Sequence, residues 1–161
     1  MNTDIETGVK ITVFEIRKND WCTLSSGHLA SLLHPLLDSE ADSTVVDHLV
    51  DGKSSGKTCL QVACHQGHMD MVRLLLDHKA SLDIADDDGD LALHYAAFGN
   101  QPEIMELLLR KGASINVVNK ARCSALHVAV NKQHAACVKV LIKYGCDVNV
   151  QVSVGDLMVH K

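Results

Sequence analysis

Gly89-Asp90-Leu91-Ala92-Leu93-His94-Tyr95-Ala96-Ala97 decides how this chain is read, because it recurs. Thirty-three residues earlier stands Gly56-Lys57-Thr58-Cys59-Leu60-Gln61-Val62-Ala63-Cys64, and 33 later Arg122-Cys123-Ser124-Ala125-Leu126-His127-Val128-Ala129-Val130. A fourth copy begins at Gly155-Asp156-Leu157-Met158-Val159-His160. Leu60, Leu93, Leu126 and Val159 share one slot, and Ala63, Ala96 and Ala129 another. Each unit continues through an apolar run (Leu74-Leu75-Leu76, Leu107-Leu108-Leu109, Val140-Leu141-Ile142). Each closes on Ala80-Ser81-Leu82-Asp83, Ala113-Ser114-Ile115-Asn116 or Cys146-Asp147-Val148-Asn149. A fixed period of this length is the mark of a repeat array.

Within a unit, Leu60, Ala63 and Cys64 lie at i, i+3 and i+4, one face of a short helix. The small Ala lets neighbouring units approach closely. A polar turn from His65 to Asp70 leads into a second helix with Met71, Val72, Leu75 and Leu76 on its apolar face. Gly112 and Gly145 are placed to end the second helices as left-handed caps, and Lys79 holds that slot in the first unit. No unit can bury its own apolar face, so the units must stack.

Composition agrees. At 161 residues and 47% hydrophobic the chain fits one globular domain. Aromatics are only 3%, so Leu, Val, Ala, Ile, Met and Cys must build the core, which suits close-packed helices. The net charge of −5 and the lack of a basic patch argue against nucleic acid. No apolar run is long enough for a membrane span, and residues 1–10 have no signal-peptide pattern. The six Cys include no Cys-x-x-Cys pair and read as free thiols, which points to the cytoplasm.

The pattern resembles the ankyrin repeat, best at Leu93-His94-Tyr95-Ala96 and Leu126-His127-Val128-Ala129, over roughly two-thirds of the chain. The family's Pro is replaced by Cys59, Ala92, Ala125 and Met158, and its Thr survives at Thr58, with Ser124 close to it. The resemblance implies an all-α solenoid of helix–turn–helix units with β-hairpin fingers. Full repeats are expected at 56–88, 89–121 and 122–154 and a broken fourth at 155–161. Val50-Asp51-Gly52-Lys53, Leu60-Gln61-Val62-Ala63, His65-Gln66-Gly67-His68 and Gly99-Asn100-Gln101-Pro102-Glu103 resemble the ankyrin region of the mind bomb proteins. Those are E3 ubiquitin ligases of the Notch pathway whose chemistry resides in zinc-bound RING fingers. No Cys/His series here has RING spacing, so the resemblance implies a relative and not an activity.

Residues 1–49 read as an extension that caps the first repeat, with a strand at Val9–Ile16. Helical spacing at Leu29, Leu32, Leu33, Leu36 and Leu37 is interrupted by Pro35, and a short helix carries Val45, Val46, Leu49 and Val50. The fourth unit stops after its first turn. The expectation is therefore a truncated array whose third repeat shows an apolar side face, open to self-association.

Three motifs suggest chemistry and fall short. Asp51 to Thr58 approaches a phosphate-binding loop, but Asp51 holds the first Gly slot, and Gly56-Lys57-Thr58 already begin a repeat. A nucleotide-binding enzyme is the rival class. Asp86 to Asp90 suggests a calcium loop, yet Ile84 and Tyr95 would stand at its first and last ligand positions. His94, His127 and His160 are repeat-slot residues that, by the resemblance, bond between units, and His65 and His68 sit in an open turn. No metal, cofactor or catalytic residue is expected.

The expected function is non-catalytic protein binding. Positions that vary while the frame stays fixed are, by the resemblance, finger tips and groove. The tips are Ser54, Ser55 and Lys57, then Asp87, Asp88 and Asp90, then Lys120, Ala121 and Cys123. The groove carries His65 and Gln66, Phe98 and Gly99, and Asn131 and Lys132, with Tyr95 nearby. Phe98 and Tyr95 are the expected apolar anchors, and the acidic tip would steer a basic partner. The first rival role is substrate recruitment within a mind bomb-like ligase.

Overall fold

The computed structural model describes residues 53–54 and 56–149. The strand and helices expected before residue 53, the Ser55 tip and the fourth unit lie outside the described residues. The elements are β1 (Lys53–Ser54), β2 (Lys57–Thr58), α1 (Cys59–Gln66), α2 (Met69–Asp77), α3 (Ala92–Phe98), α4 (Pro102–Arg110), α5 (Ala125–Asn131) and α6 (Ala135–Lys143). They fall into two compact units. One ends at Ala63 and resumes over His68–Ser81; the other joins Cys64–Gly67 to the chain from Leu82 onward.

Each first helix starts with one device in three chemical versions. An N-terminal backbone N–H has no partner inside its own helix and needs an acceptor from a side chain. In the first unit Thr58 Oγ1 accepts from Gln61 N–H at 3.2 Å, while Gln61 Oε1 accepts from Thr58 N–H at 2.9 Å. This is a reciprocal capping box. One period later Leu91 has no polar side chain, and His94 Nδ1 accepts from Leu91 N–H at 3.1 Å. In the third repeat His127 Nδ1 accepts from Ser124 N–H at 3.0 Å.

The second helices end identically. In α2, Lys79 N–H donates to Leu76 O and Ala80 N–H to Leu75 O, both at 3.0 Å, which is a Schellman closure. Gly112 with Ala113 closes α4 and Gly145 with Cys146 closes α6 by the same pair of bonds. The expected left-handed caps are present: φ is +62° at Lys79, +96° at Gly112 and +78° at Gly145.

In the first unit Leu60, Ala63, Met71, Val72 and Leu75 are buried. In the second, α3 packs on α4 and α5, α4 on α6, and α5 on α6. Leu93, Ala96, Ile104, Met105, Leu108, Ala129, Cys137 and Leu141 supply its core. Full burial of a Leu or Ile side chain contributes about 2 kcal/mol, and the Ala positions let helix backbones come close. The third repeat opens to solvent at Val130 (54% exposed), Ile142 and Val148. Val130 stands one period after buried Ala97.

The first finger is an antiparallel pair with Lys53 opposite Thr58 and Ser54 opposite Lys57. The next two are tight turns, closed by Asp86 N–H to Asp90 O and by Asn119 N–H to Cys123 O, each 3.0 Å. They are joined by Lys120 N–H to Asp88 O at 3.0 Å and Asn119 Nδ2 to Asp90 Oδ1 at 2.8 Å.

His94 also ties repeat two to repeat three. Its Nδ1 accepts a hydrogen bond, so Nε2 carries the proton and donates to the Cys123 carbonyl at 3.0 Å. The ring is 1% exposed. Burial pulls its pKa below the ordinary 6.5, against the opposing pull of the Cys123 carbonyl and Asp90.

Two predictions follow from these caps. Lys79 is exposed and pays for a left-handed backbone that glycine adopts freely. Lys79→Gly should therefore raise stability by roughly 0.5–1 kcal/mol, read as a higher urea midpoint at unchanged slope. For His94, the unfolded chain binds the proton more tightly than the folded one, so its contribution is complete above the unfolded pKa and declines as pH falls below about 6.5. Between about pH 7 and 5, the melting temperature of His94→Gln should drop less than that of the parent protein. Gln61 shows that glutamine can fill the cap role. Equal drops would remove His94 as the titrating group.

Candidate protein-binding surface

The expected groove and tip residues do not share one environment. His65, Gln66, Asn131 and Lys132 are exposed, as are Asp87, Asp88 and Lys120. Phe98 is half-buried. Tyr95 and Asp90 are buried, at 9% and 7% exposure, which corrects their expected roles as anchor and tip.

Asp86 is the reason for both corrections. Its Oδ1 accepts from Asp88 N–H at 2.9 Å and from Asp90 N–H at 2.8 Å, folding the acidic turn around itself. Its Oδ2 accepts a short hydrogen bond from the Tyr95 hydroxyl. Tyr95 thus points its polar end into the finger. Burial, and then the Asp86 bond, push its ionisation far above the ordinary range, so it stays a neutral donor. Asp90 turns inward to Asn119, and its pKa is raised by burial while the Asn119 bond opposes that.

In the sequence Asp86 stands out only as the start of the acidic stretch, not as its anchor. The available signal was its place one period before Asn119, another residue that caps its own turn: Asn119 Oδ1 accepts from Cys123 N–H at 3.0 Å. The carboxylates of Asp86, Asp88 and Asp90 place ligand atoms within 4.8 Å of one another. Both Asp86 oxygens already accept from the chain and Asp90 Oδ1 is held by Asn119, so the cluster has a structural account.

What remains is an aromatic group. The His65 ring meets Tyr95 edge-on, with centroids 6.1 Å apart and planes at 87°. The Phe98 ring also meets Tyr95, at 6.1 Å and 61°. Tyr95 is therefore the buried support, and exposed His65 and half-exposed Phe98 are the faces a partner can touch.

Asp51 and Ser55 of the near-miss phosphate loop lie outside the described residues, and the residues that are described form a hairpin. Thr58 is buried with its hydroxyl committed to the α1 cap.

The outer helices carry a second network that the sequence reading passed over. Glu106 Oε1 accepts from Lys143 Nζ at 3.0 Å, Arg110 Nη2 at 3.1 Å and the Tyr144 hydroxyl at 3.2 Å. The Lys143 bond, then the Tyr144 bond, hold the Glu106 carboxyl below its usual range. Arg110 and Lys143 are exposed while Glu106 and Tyr144 are half-buried, and the network ties α4 to α6 across the repeat boundary.

Gly99, expected in the groove, lies against the backbone of His65. Its φ of −83° is open to any residue, but a Cβ there would lie 2.1 Å from the His65 carbonyl oxygen. Backbone cannot yield as a flexible side chain can. Gly99→Ala should cost about 2–3 kcal/mol and disturb the amide signals of His65 and Phe98. An unchanged melting curve would show that the close approach is not required.

Comparison with known proteins supports this frame. The family described as ankyrin repeats (3 copies) matches residues 21–119, and that described as ankyrin repeats (many copies) matches residues 108–160. The chain is 39% identical over 83 residues to the E3 ubiquitin-protein ligase mind-bomb of Drosophila melanogaster, covering 52% of this chain and 7% of that protein. It is 46% identical over 38 residues to the E3 ubiquitin-protein ligase MIB2 of Gallus gallus, covering 24% of this chain and 4% of that one. Among the described residues no helix is long and apolar enough to cross a membrane. Paired helices with the same caps every 33 residues, matched by the family over more than half the chain, make this protein a member of the ankyrin-repeat family, all-α in fold and built from non-catalytic modules of protein–protein interaction.

Proposed function

We propose that the chain holds a partner protein through the groove and the finger tips, and performs no chemistry of its own. The observation that carries this is the aromatic group: Phe98 stays half-exposed against a buried, hydrogen-bonded Tyr95, which the exposed His65 ring also contacts. A rigidly backed ring loses little entropy on binding, and such rings anchor interfaces. Gln66, Asn131 and Lys132 are exposed and would add polar contacts. Asp87 and Asp88 present the outward acidic charge that attracts a basic patch, and Lys120 adds an opposite charge on the next finger.

A second reading rests on the 39% identity to the fly ligase. Here the chain serves as a substrate-recruiting part of a ubiquitin ligase. The same surface would act, and the partner would be a protein destined for ubiquitin transfer.

The test is a quantitative pull-down from cell lysate with the parent protein, Phe98→Ala, Asp88→Lys and the outer-helix control Lys139→Ala. Phe98→Ala should lower retention of a specific partner at least tenfold, about 1.4 kcal/mol or more. Asp88→Lys should weaken capture chiefly at low salt, and Lys139→Ala should behave as the parent. Equal retention by all four would place binding elsewhere.

A further inference from the structure

A separate surface lies in the second unit, where the chain entering the second finger runs beside the chain entering the third. Ala85, Leu91, Val117 and Val118 line an open cleft of about 410 Å³, together with Asp83 and Lys120. It shares no residue with the His65, Tyr95 and Phe98 group. Val117 and Val118 are 38% and 39% exposed, among the few large apolar side chains open to solvent among the described residues. Asp83 and Lys120 are also exposed, and neither side chain has an ion-pair or hydrogen-bond partner among the described residues.

Two features narrow what could fill the cleft. It is open, whereas small-molecule sites enclose most of the ligand surface. An occupant must therefore lie along the surface, as an extended chain does, placing one or two modest apolar side chains against the valines. The two unpaired charges have opposite sign. A segment matching both must offer a cation to Asp83, an anion to Lys120 and apolar side chains to the valines.

We propose that this cleft binds an extended segment of a partner protein carrying a basic residue, one or two aliphatic residues and an acidic residue in succession. Desolvating the valines supplies affinity, and the opposed charges set the direction in which the segment lies. The site shares Lys120 with the finger-tip surface proposed above, but no residue with the aromatic group of His65, Tyr95 and Phe98.

The probe is the capped peptide Gly-Lys-Val-Leu-Glu-Gly, titrated into the full ¹⁵N-labelled chain beside versions with Lys-Val-Leu-Lys and Glu-Val-Leu-Glu cores. Saturating amide shifts should centre on Ala85, Leu91, Val117 and Val118, with a Kd of about 1 mM or tighter. The mixed-charge peptide should bind best. Val118→Asp should weaken it at least tenfold; the position is exposed, and a dispersed spectrum confirms that the variant is folded. Asp83→Lys should move the preference to the doubly acidic peptide. The proposal is overturned by equal binding of the three peptides, by the absence of saturable shifts, by shifts centred on His65 and Phe98, or by concentration-dependent shifts at the cleft without peptide, which would assign it to a second copy of the chain.

Discussion

His94 Nδ1 takes the Leu91 N–H that would otherwise open α3 without a partner, and its Nε2 reaches the Cys123 carbonyl in the next finger. A helix cap and an inter-repeat tie are thus one imidazole, fixed in one tautomer and almost wholly buried. Either bond alone would allow the ring to rotate; together they define it. The register of repeat three against repeat two then follows, and the finger bonds from Lys120 and Asn119 to Asp88 and Asp90 reinforce it. The cap is the constant and its chemistry the variable: Gln61 serves the same start in the first repeat with an amide.

Short elements impose a second constraint. Helices of seven to nine residues must be reversed quickly, and reversal in few residues calls for left-handed backbone. Such positions recur at the finger (Gly56, Gly89, Arg122), in the inter-helix turn (Gly67, Asn100, Gln133) and after the second helix (Lys79, Gly112, Gly145). Several are held by residues other than glycine, at a local cost of about 1–2 kcal/mol each. The packed apolar faces on either side offset that cost, which is why the turn geometry persists where the glycine does not.

The same economy shapes the surface. Asp86 spends its carboxylate on holding the acidic turn and the Tyr95 hydroxyl. The acidic side chains of the turn left exposed are Asp87 and Asp88, while Phe98 stays half-exposed and His65 exposed beside the buried Tyr95. A polar residue that organises its neighbours thereby decides which of them meet solvent.

Much of the frame was legible in the order of residues. The 33-residue spacing, the Leu and Ala slots and the left-handed cap at Gly112 and Gly145 follow from local rules, since helix periodicity and backbone sterics act over a few residues. The sequence alone also selected Phe98 as an aromatic not demanded by the frame. Only the tertiary structure decided that Tyr95 and Asp90 are buried, that Asp86 holds them, and that Glu106 gathers Lys143, Arg110 and Tyr144. The Glu106 bonds to Lys143 and Tyr144 join residues about one repeat apart, and side-chain direction at a finger is set by the turn closing around it. Spacing along the chain says which slot a residue holds; which way its side chain points depends on the neighbours that folding brings beside it.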